Sequence, residues 1–175
     1  MHKIIIALFL FYTANSFADS SSIEKNLMNN NKLQELILRI DKKVQGKPGF
    51  WQLNYEGIGV YIITDEKADR MRIISAVSDA DKISKTKMIR IMQANFDSAL
   101  DARYSIAKGK VWSAYIHPLS SLSDKEFFSG LAQTITLVKS FGKSYSSGAL
   151  IYKGGDSNDL NRKSYSDILR KGLRI

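Results

Sequence analysis

The segment KVWSAYIHPLSSLSDKEFFSGLAQTITLVKS, residues 110–140, predicts a strand, a proline turn and a long helix in direct succession. Its first eight residues are rich in aromatic and β-branched side chains that alternate between two faces, which is typical of a strand. Pro118 holds the residue before it, His117, in an extended conformation. Ser123 and Glu126 have the spacing of a capping box at the start of a helix. The predicted helix is long enough to lie along the strand, so this segment favours an α+β fold.

Hydrophobic periodicity upstream of this segment predicts the other elements. Residues 31–44 have apolar side chains at helical spacing, and residues 50–77 change to a period of two, which indicates three strands. A second helix begins after Ser84 as its N-cap. Residues 101–118 indicate a hairpin that turns at residues 108–109. The predicted order is therefore α-β-β-β-α-β-β-α, a single domain with an antiparallel sheet and helices packed on it.

The first 18 residues have the layout of a cleaved signal peptide. A short basic start precedes an apolar run at residues 4–11, and the small residues Ser16 and Ala18 fit a cleavage site. The apolar run is too short to span a bilayer. We therefore expect cleavage after residue 18 and a periplasmic or secreted location.

The rest of the chain divides into three predicted segments. Residues 19–30 are polar and are expected to form a flexible leader, residues 31–145 the folded domain, and residues 146–175 a linker with a basic C-terminal tail. The end of the tail has the pattern of a short basic amphipathic helix. The chain contains no cysteine, which excludes thiol catalysis, thiolate metal sites and disulfides.

Catalysis has little support in the sequence. His117 is the one histidine left after the predicted cleavage. The serines beside it are explained by a turn and a helix cap, so neither a catalytic triad nor a histidine metal site is expected. A carboxylate-based hydrolase remains an alternative, because two carboxylates can carry out acid/base catalysis without a histidine. No cofactor is predicted, since the glycines lack the spacing of a nucleotide-binding loop.

The apolar residues of the predicted sheet exceed what one buried face needs. In the second and third strands both faces carry apolar side chains, so the second face is expected to be covered by a twin subunit or by a client segment. Tyr61 and Tyr115 are the predicted contacts on that face, together with Val111, and Met88 and Met92 on the second helix. These five are the candidate binding residues.

Basic residues outnumber acidic ones and give a formal net charge of +9. They concentrate at the second helix and in the C-terminal tail, and the candidates are Lys82, Lys85, Lys87, Arg90, Arg170, Lys171 and Arg174. A solvated face is one interpretation of this pattern. An anionic partner is the other, either an acidic protein or an anionic envelope surface. Nucleic acid is not expected, because aromatic residues are not interleaved with the basic ones.

Two segments, MIRIMQANFDSALDARYSIAKGKVW and HPLSSLSDKEFFSGLAQTI, resemble the type III secretion chaperone-like fold. The Tir-chaperone family and the bacterial sensory-transduction-regulator-like family share this fold, and the resemblance spans about residues 31–145. It implies a small α+β domain, usually a homodimer, that binds segments of other proteins without a cofactor and without catalysis.

Three functional hypotheses follow. The leading one is an exported, non-catalytic, chaperone-like module that binds a peptide or protein client as a homodimer. The alternatives are a peripheral binder of anionic envelope surfaces and a carboxylate-based envelope hydrolase.

Overall fold

The structure, a computed structural model, describes residues 27–147 and 159–174. Its helices are α1 (Asn30–Ile40), α2 (Lys85–Asp97), α3 (Asp124–Ser140) and α4 (Asp159–Leu173), with a 3₁₀ turn at Ala80–Lys82. Its strands are β1 (Gln45–Lys47), β2 (Phe50–Tyr55), β3 (Ile58–Asp65), β4 (Arg70–Asp79), β5 (Arg103–Ala107) and β6 (Lys110–His117). The predicted α+β order is confirmed. The short strand β1 is an addition to it, and α4 lies where the sequence indicates an amphipathic helix.

Within the described residues, the strands form one antiparallel sheet in the order β1-β2-β3-β4-β6-β5. The chain leaves the sheet after β4 through α2 and returns as a hairpin, so that β6 pairs with β4 and β5 lies at the edge. Both residues of the turn at Lys108 and Gly109 have positive φ, 50° and 70°. A two-residue hairpin turn of type I′ requires this conformation. The predicted turn at this position is therefore confirmed.

One face of the sheet, here called the inner face, is buried under α3. Its side chains include Trp51, Val60, Ile62, Ile73 and Val111, each at most 1% exposed. Gly130 of α3 allows a close approach, because a Cβ at this position would lie 2.6 Å from the ring of Tyr115. Complete burial of a large apolar side chain contributes about 1.5–3 kcal/mol. The inner face therefore supplies much of the driving force for folding.

The helix starts are fixed by side-chain caps. At α3 the predicted capping box is present, since the hydroxyl of Ser123 accepts a hydrogen bond from the backbone N–H of Glu126 at 3.2 Å and the Glu126 carboxylate accepts from the Ser123 N–H at 2.8 Å. At α1 the sequence pattern favours Asn31 as the cap, but the structure uses Asn29. The residue before this cap, Met28, is buried, and its backbone N–H donates to the carbonyl of Ser120 in the loop preceding α3 at 3.0 Å.

Helix α4 packs on α3 and on α1. Ile168 is fully buried there, and Gly172 approaches Phe128 so closely that a Cβ would lie 2.3 Å from the ring. Lys139 of α3 donates a hydrogen bond to the hydroxyl of Ser164 at 2.9 Å. Helix α3 is therefore buried between the sheet and α4, which explains its wide apolar surface.

None of the helices in the two described ranges combines the length and the hydropathy needed to cross a membrane.

Candidate functional site

The opposite face of the sheet, here called the outer face, is left uncovered by the described helices. Its apolar side chains come from four strands: Phe50, Tyr61, Ile63, Ile74, Trp112, Ala114 and Ile116. Phe50 is 45% exposed and Ile116 is 66% exposed, while the others are half-buried. Large apolar patches on soluble domains usually mark interaction sites.

The strand register joins these side chains into one surface, here called the outer band. Tyr61 lies opposite Ile74, which in turn lies opposite Ala114. Phe50 lies opposite Ile63, and its ring centroid is 6.1 Å from that of Tyr61. Directly opposed side chains in antiparallel strands are about 5 Å apart at Cβ. The outer band is therefore contiguous from β2 to β6.

Positive charge interrupts the outer band. Arg72 lies opposite both Ile63 and Ile116, and Arg103 lies opposite Ala114. The guanidinium of Arg103 donates hydrogen bonds to the backbone carbonyls of Leu100 and Asn95, which hold it at the edge of the sheet. Both arginines are exposed, and neither forms an ion pair within the residues that the structure describes. The outer band therefore combines apolar contact with positive charge that lacks a counterion.

The structure does not bring the five candidate binding residues together. Tyr61 lies in the outer band, but Tyr115 and Val111 lie on the inner face, 4% and 0% exposed. Both faces of β6 are apolar, so the sequence pattern leaves open which face meets the helix layer. On α2, Met92 is 48% exposed and Met88 is half-buried. Tyr115 and Val111 are thus core residues, and the apolar side chains on the other side of β6 take the surface position.

Helix α2 presents a second apolar surface, here called the α2 stripe. It consists of Ile89, Met92 and Phe96, which are 51%, 48% and 89% exposed. Residues at this spacing share one face of a helix. The packed face of α2 holds Ile91 and Ala94, which are buried. Helix α2 is therefore apolar on two sides, and only one of them is covered in the described residues.

A pair of hydrogen bonds fixes α2 beside the edge strand β5. The side-chain oxygen of Asn95 accepts from the backbone N–H of Tyr104 at 2.7 Å, and its amide donates to the carbonyl oxygen of Tyr104 at 2.9 Å. The Tyr104 hydroxyl donates to the carbonyl of Leu137 at 2.7 Å, and burial raises the pKa of this phenol. The α2 stripe is thus held at a fixed position relative to the sheet.

The basic candidates near α2 are largely engaged with neighbouring residues. Lys82 pairs with Asp79 at 2.6 Å. Lys87 and Arg90 stand over the rings of Phe141 and Tyr145, at 5.7 and 5.1 Å from the centroids. Lys85 is exposed in the first turn of α2.

The basic candidates of α4 form a separate group. Arg170 lies 3.5 Å from Asp167, and Lys171 stands over the ring of Tyr55 at 5.2 Å. Arg174 is exposed just beyond the end of the helix. Because the two groups contact different parts of the domain, the structure does not gather them into one basic surface.

His117 lies at the end of β6, and its surroundings do not form a triad. Its Nδ1 is 2.7 Å from the carbonyl oxygen of Pro118, and its ring stacks on Tyr115 at 6.0 Å. Its Nε2 is 4.0 Å from one oxygen of Glu126, whose other oxygen accepts from the Ser123 hydroxyl at 2.7 Å. A triad places the imidazole between the acid and the serine. Here the acid lies between the other two, so the imidazole has no route to the serine proton.

Two acids, Glu66 and Asp69, line one cavity of about 330 Å³. Glu66 accepts a hydrogen bond from the backbone N–H of Asn30 at 2.8 Å, and Asp69 accepts from the N–H and hydroxyl of Ser120 at 2.6 and 2.9 Å. These bonds from Ser120 lower the pKa of Asp69, so Asp69 is not suited to be the proton donor of a carboxylate pair. The arrangement does not favour the hydrolase alternative.

Within the described ranges, no three His, Asp or Glu side chains are grouped as a metal site requires.

Solved structures that are similar to this chain include two protein complexes. One is the crystal structure of the ExsC–ExsE complex, with 17% identity, a TM-score of 0.48, and coverage of 64% of this chain and 92% of the matched chain. The other is the HopA1–SchA chaperone–effector complex, with 11% identity, a TM-score of 0.47, and coverage of 70% and 94%. Both contain type III secretion chaperones, the group that the sequence resembles. No protein-family model matches the chain, and no curated protein matches it significantly in sequence.

The predicted periplasmic or secreted location is wrong. The type III secretion chaperones that this chain resembles are cytoplasmic. The N-terminal pattern on which that prediction was based, residues 1–18, lies outside the described residues.

Proposed function

We propose that this protein is a non-catalytic, chaperone-like module that binds an extended segment of another protein on the outer face of its sheet. The observation that carries the proposal is the outer band, which runs contiguously from β2 to β6 and is not covered by the described helices. An exposed apolar surface that spans several strands usually marks an interaction site.

The chemistry of the outer band defines the kind of client. An extended segment turns every second side chain to the surface on which it lies, at a spacing of about 7 Å. Apolar residues at those positions would pack on Ile74 and Ile116. Arg72, between Ile63 and Ile116, adds positive charge, so acidic residues beside the apolar ones fit the surface. The client is therefore an extended apolar segment with carboxylates next to it.

Selection of random displayed peptides on the immobilised full chain tests this proposal. We expect enriched sequences with alternating apolar residues and nearby Asp or Glu. Their binding should be lost in the double variant Ile74→Glu, Ile116→Glu. It should be kept in the control Ile106→Glu, whose side chain is 51% exposed but lies on the same side of the sheet as Tyr104. Peptides that bind both variants equally, or a selection without enrichment, would contradict the proposal.

The second part of the proposal is that the protein forms a homodimer through the α2 stripe. Ile89, Met92 and Phe96 lie along one side of a helix, which suits the self-complementary contact of a two-fold axis. Phe96 is 89% exposed, and packing of α2 against its copy would bury it.

Sedimentation velocity of the full chain at micromolar concentration tests the dimer. We expect a dimer for the unmodified chain and a monomer for the double variant Ile89→Ser, Phe96→Ser. Both exposed side chains are absent from the core, so helical content should be unchanged by circular dichroism. The matched control Ile106→Ser removes an equally exposed isoleucine and should stay dimeric. A strict monomer for the unmodified chain would remove this part of the proposal and leave the client surface to be judged separately.

A further inference from the structure

A groove of about 310 Å³ lies between the C-terminal ends of α1 and α4. Its lining residues are Glu35, Leu38, Arg39, Lys42, Lys171 and Arg174. Four of them are cations and one is a carboxylate, so the groove carries a clear excess of positive charge.

Two of the four cations are held in place by the fold. Arg39 donates a hydrogen bond to the carbonyl oxygen of Gly172 at 3.3 Å and lies 3.7 Å from the carboxylate of Asp124, which ties α1 to α4 and to α3. Lys171 is positioned over the ring of Tyr55. A ligand would therefore meet charges that are already oriented, which reduces the entropy lost on binding.

The other two cations have no such role. Lys42 and Arg174 are exposed, lie beyond the last residues of α1 and α4, and take part in no ion pair within the described residues. Cations near helix C-termini are favoured by the helix dipole, which accounts for part of the pattern. Because α1 and α4 both end at this groove, the dipoles favour cations on both of its walls. Each helix end carries about half a negative charge, so the two ends offset about one positive charge and leave the groove cationic.

We infer that this groove binds an acidic segment of a protein partner, with Asp or Glu side chains between Arg39 and Lys42 on one wall and Lys171 and Arg174 on the other. A volume of about 310 Å³ lies at the lower end of ligand pockets and accommodates neighbouring side chains rather than a whole domain. This surface is separate from the outer band, and the inference does not depend on the client proposed there.

The shape of the groove favours a peptide over a membrane. Binding to a bilayer surface uses protruding apolar residues that insert among the lipids. The groove is concave, and Leu38, 38% exposed, is its one apolar lining residue. Cations on two walls also suit a chain of carboxylates better than a single small anion.

Fluorescence anisotropy of a labelled peptide made of Glu, Gly and Ser, titrated with the full chain, tests the inference. This peptide carries no apolar side chain that the outer band could bind. We expect the double variant Lys42→Glu, Arg174→Glu to weaken binding by about tenfold or more. The control variant Lys67→Glu, Lys85→Glu makes the same change in net charge at exposed lysines outside the groove. It should change the affinity by less than about twofold.

The remaining outcomes decide between a peptide and other anions. An equal loss of peptide affinity in the two double variants would overturn the inference, because binding would then depend only on the net charge of the protein. Vesicles of anionic lipid that bind with the same dependence on Lys42 and Arg174, or full displacement of the peptide by millimolar inorganic phosphate, would also overturn it. The variant Ile74→Glu, Ile116→Glu should keep peptide affinity, so failure of the client proposal and failure of this inference are distinguishable.

Discussion

The two faces of the sheet put the same kind of side chain to different uses. In β3, Ile62 is fully buried on the inner face, and its neighbour Ile63 is half-buried on the outer face. Successive residues of a strand point to opposite sides, so one apolar run supplies both the core and a surface. The comparison teaches that hydrophobicity beyond what the core needs is a sign of binding.

The largest expected effect comes from truncating matched isoleucines on the two faces. Ile62→Ala should lower the free energy of unfolding by about 2–5 kcal/mol, because it leaves a cavity under α3. Ile63→Ala removes the same atoms from a half-buried position and should cost less than about 1 kcal/mol. Urea unfolding of both variants measures the difference. Equal losses would mean that the outer face is as well covered as the inner one.

A smaller effect is expected from adding a methyl group between α4 and α3, the two helices stacked above the inner face. Gly172→Ala places a Cβ against the ring of Phe128 and should push α4 away from α3, at a cost of about 1–3 kcal/mol. Hydrogen exchange of the α4 amides should accelerate. The control Gly59→Ala adds a methyl group in β3 with nothing within 4 Å and should be nearly neutral. Unchanged protection of α4 in the first variant would show that this contact adapts without strain.

The smallest effect on stability is expected from Asp79, an ion-paired carboxylate at the end of β4 that is not part of the core. Asp79 accepts hydrogen bonds from Lys110 at 2.7 Å and Lys82 at 2.6 Å, which lower its pKa from 3.8 to about 2. A carboxyl group with a lower pKa in the folded state stabilises the fold above its unfolded pKa. This contribution is lost as the pH falls from about 4 to about 2.

Asp79→Asn should therefore make the free energy of unfolding slightly less dependent on pH in the acidic range. The effect is small because both ion pairs of Asp79 are exposed and screened by solvent. The urea midpoints of the unmodified chain and of the variant, measured at about pH 6 and about pH 3, show how the difference in stability between the two proteins depends on pH. If the difference between the two proteins is the same at both pH values, the ion pairs of Asp79 do not contribute to folding.

Local signals made most of the elements predictable. The capping box of Ser123 and Glu126 and the turn at Lys108 and Gly109 depend on residues that are neighbours in sequence, and both are present. The strand β1 was not predictable in this way. Its three residues are all exposed, and it is defined by pairing with β2 rather than by an apolar pattern of its own.

The candidate site was predictable in kind but not in all its residues. Alternation correctly separates Val111 and Tyr115 from Trp112 and Ile116 on the two faces of β6. Which face is buried depends on α3, whose Gly130 admits the Tyr115 ring, and this contact joins distant parts of the chain. The sequence pattern therefore placed Tyr115 and Val111 at the surface although they belong to the core. Tyr61 is half-buried and Met92 is exposed, and their role in binding stays a prediction.

The side chain of Asn95 has a consequence for how this molecule avoids aggregation. By hydrogen bonding the N–H and the carbonyl of Tyr104, it occupies backbone groups that an incoming strand would need. The opposite border of the sheet is a strand of three residues followed by Pro48, which also offers a poor template. Strand addition is thus hindered at both borders of the sheet, although the described helices leave its outer face uncovered. Copies of the protein are therefore poor templates for extending the sheet into a fibril.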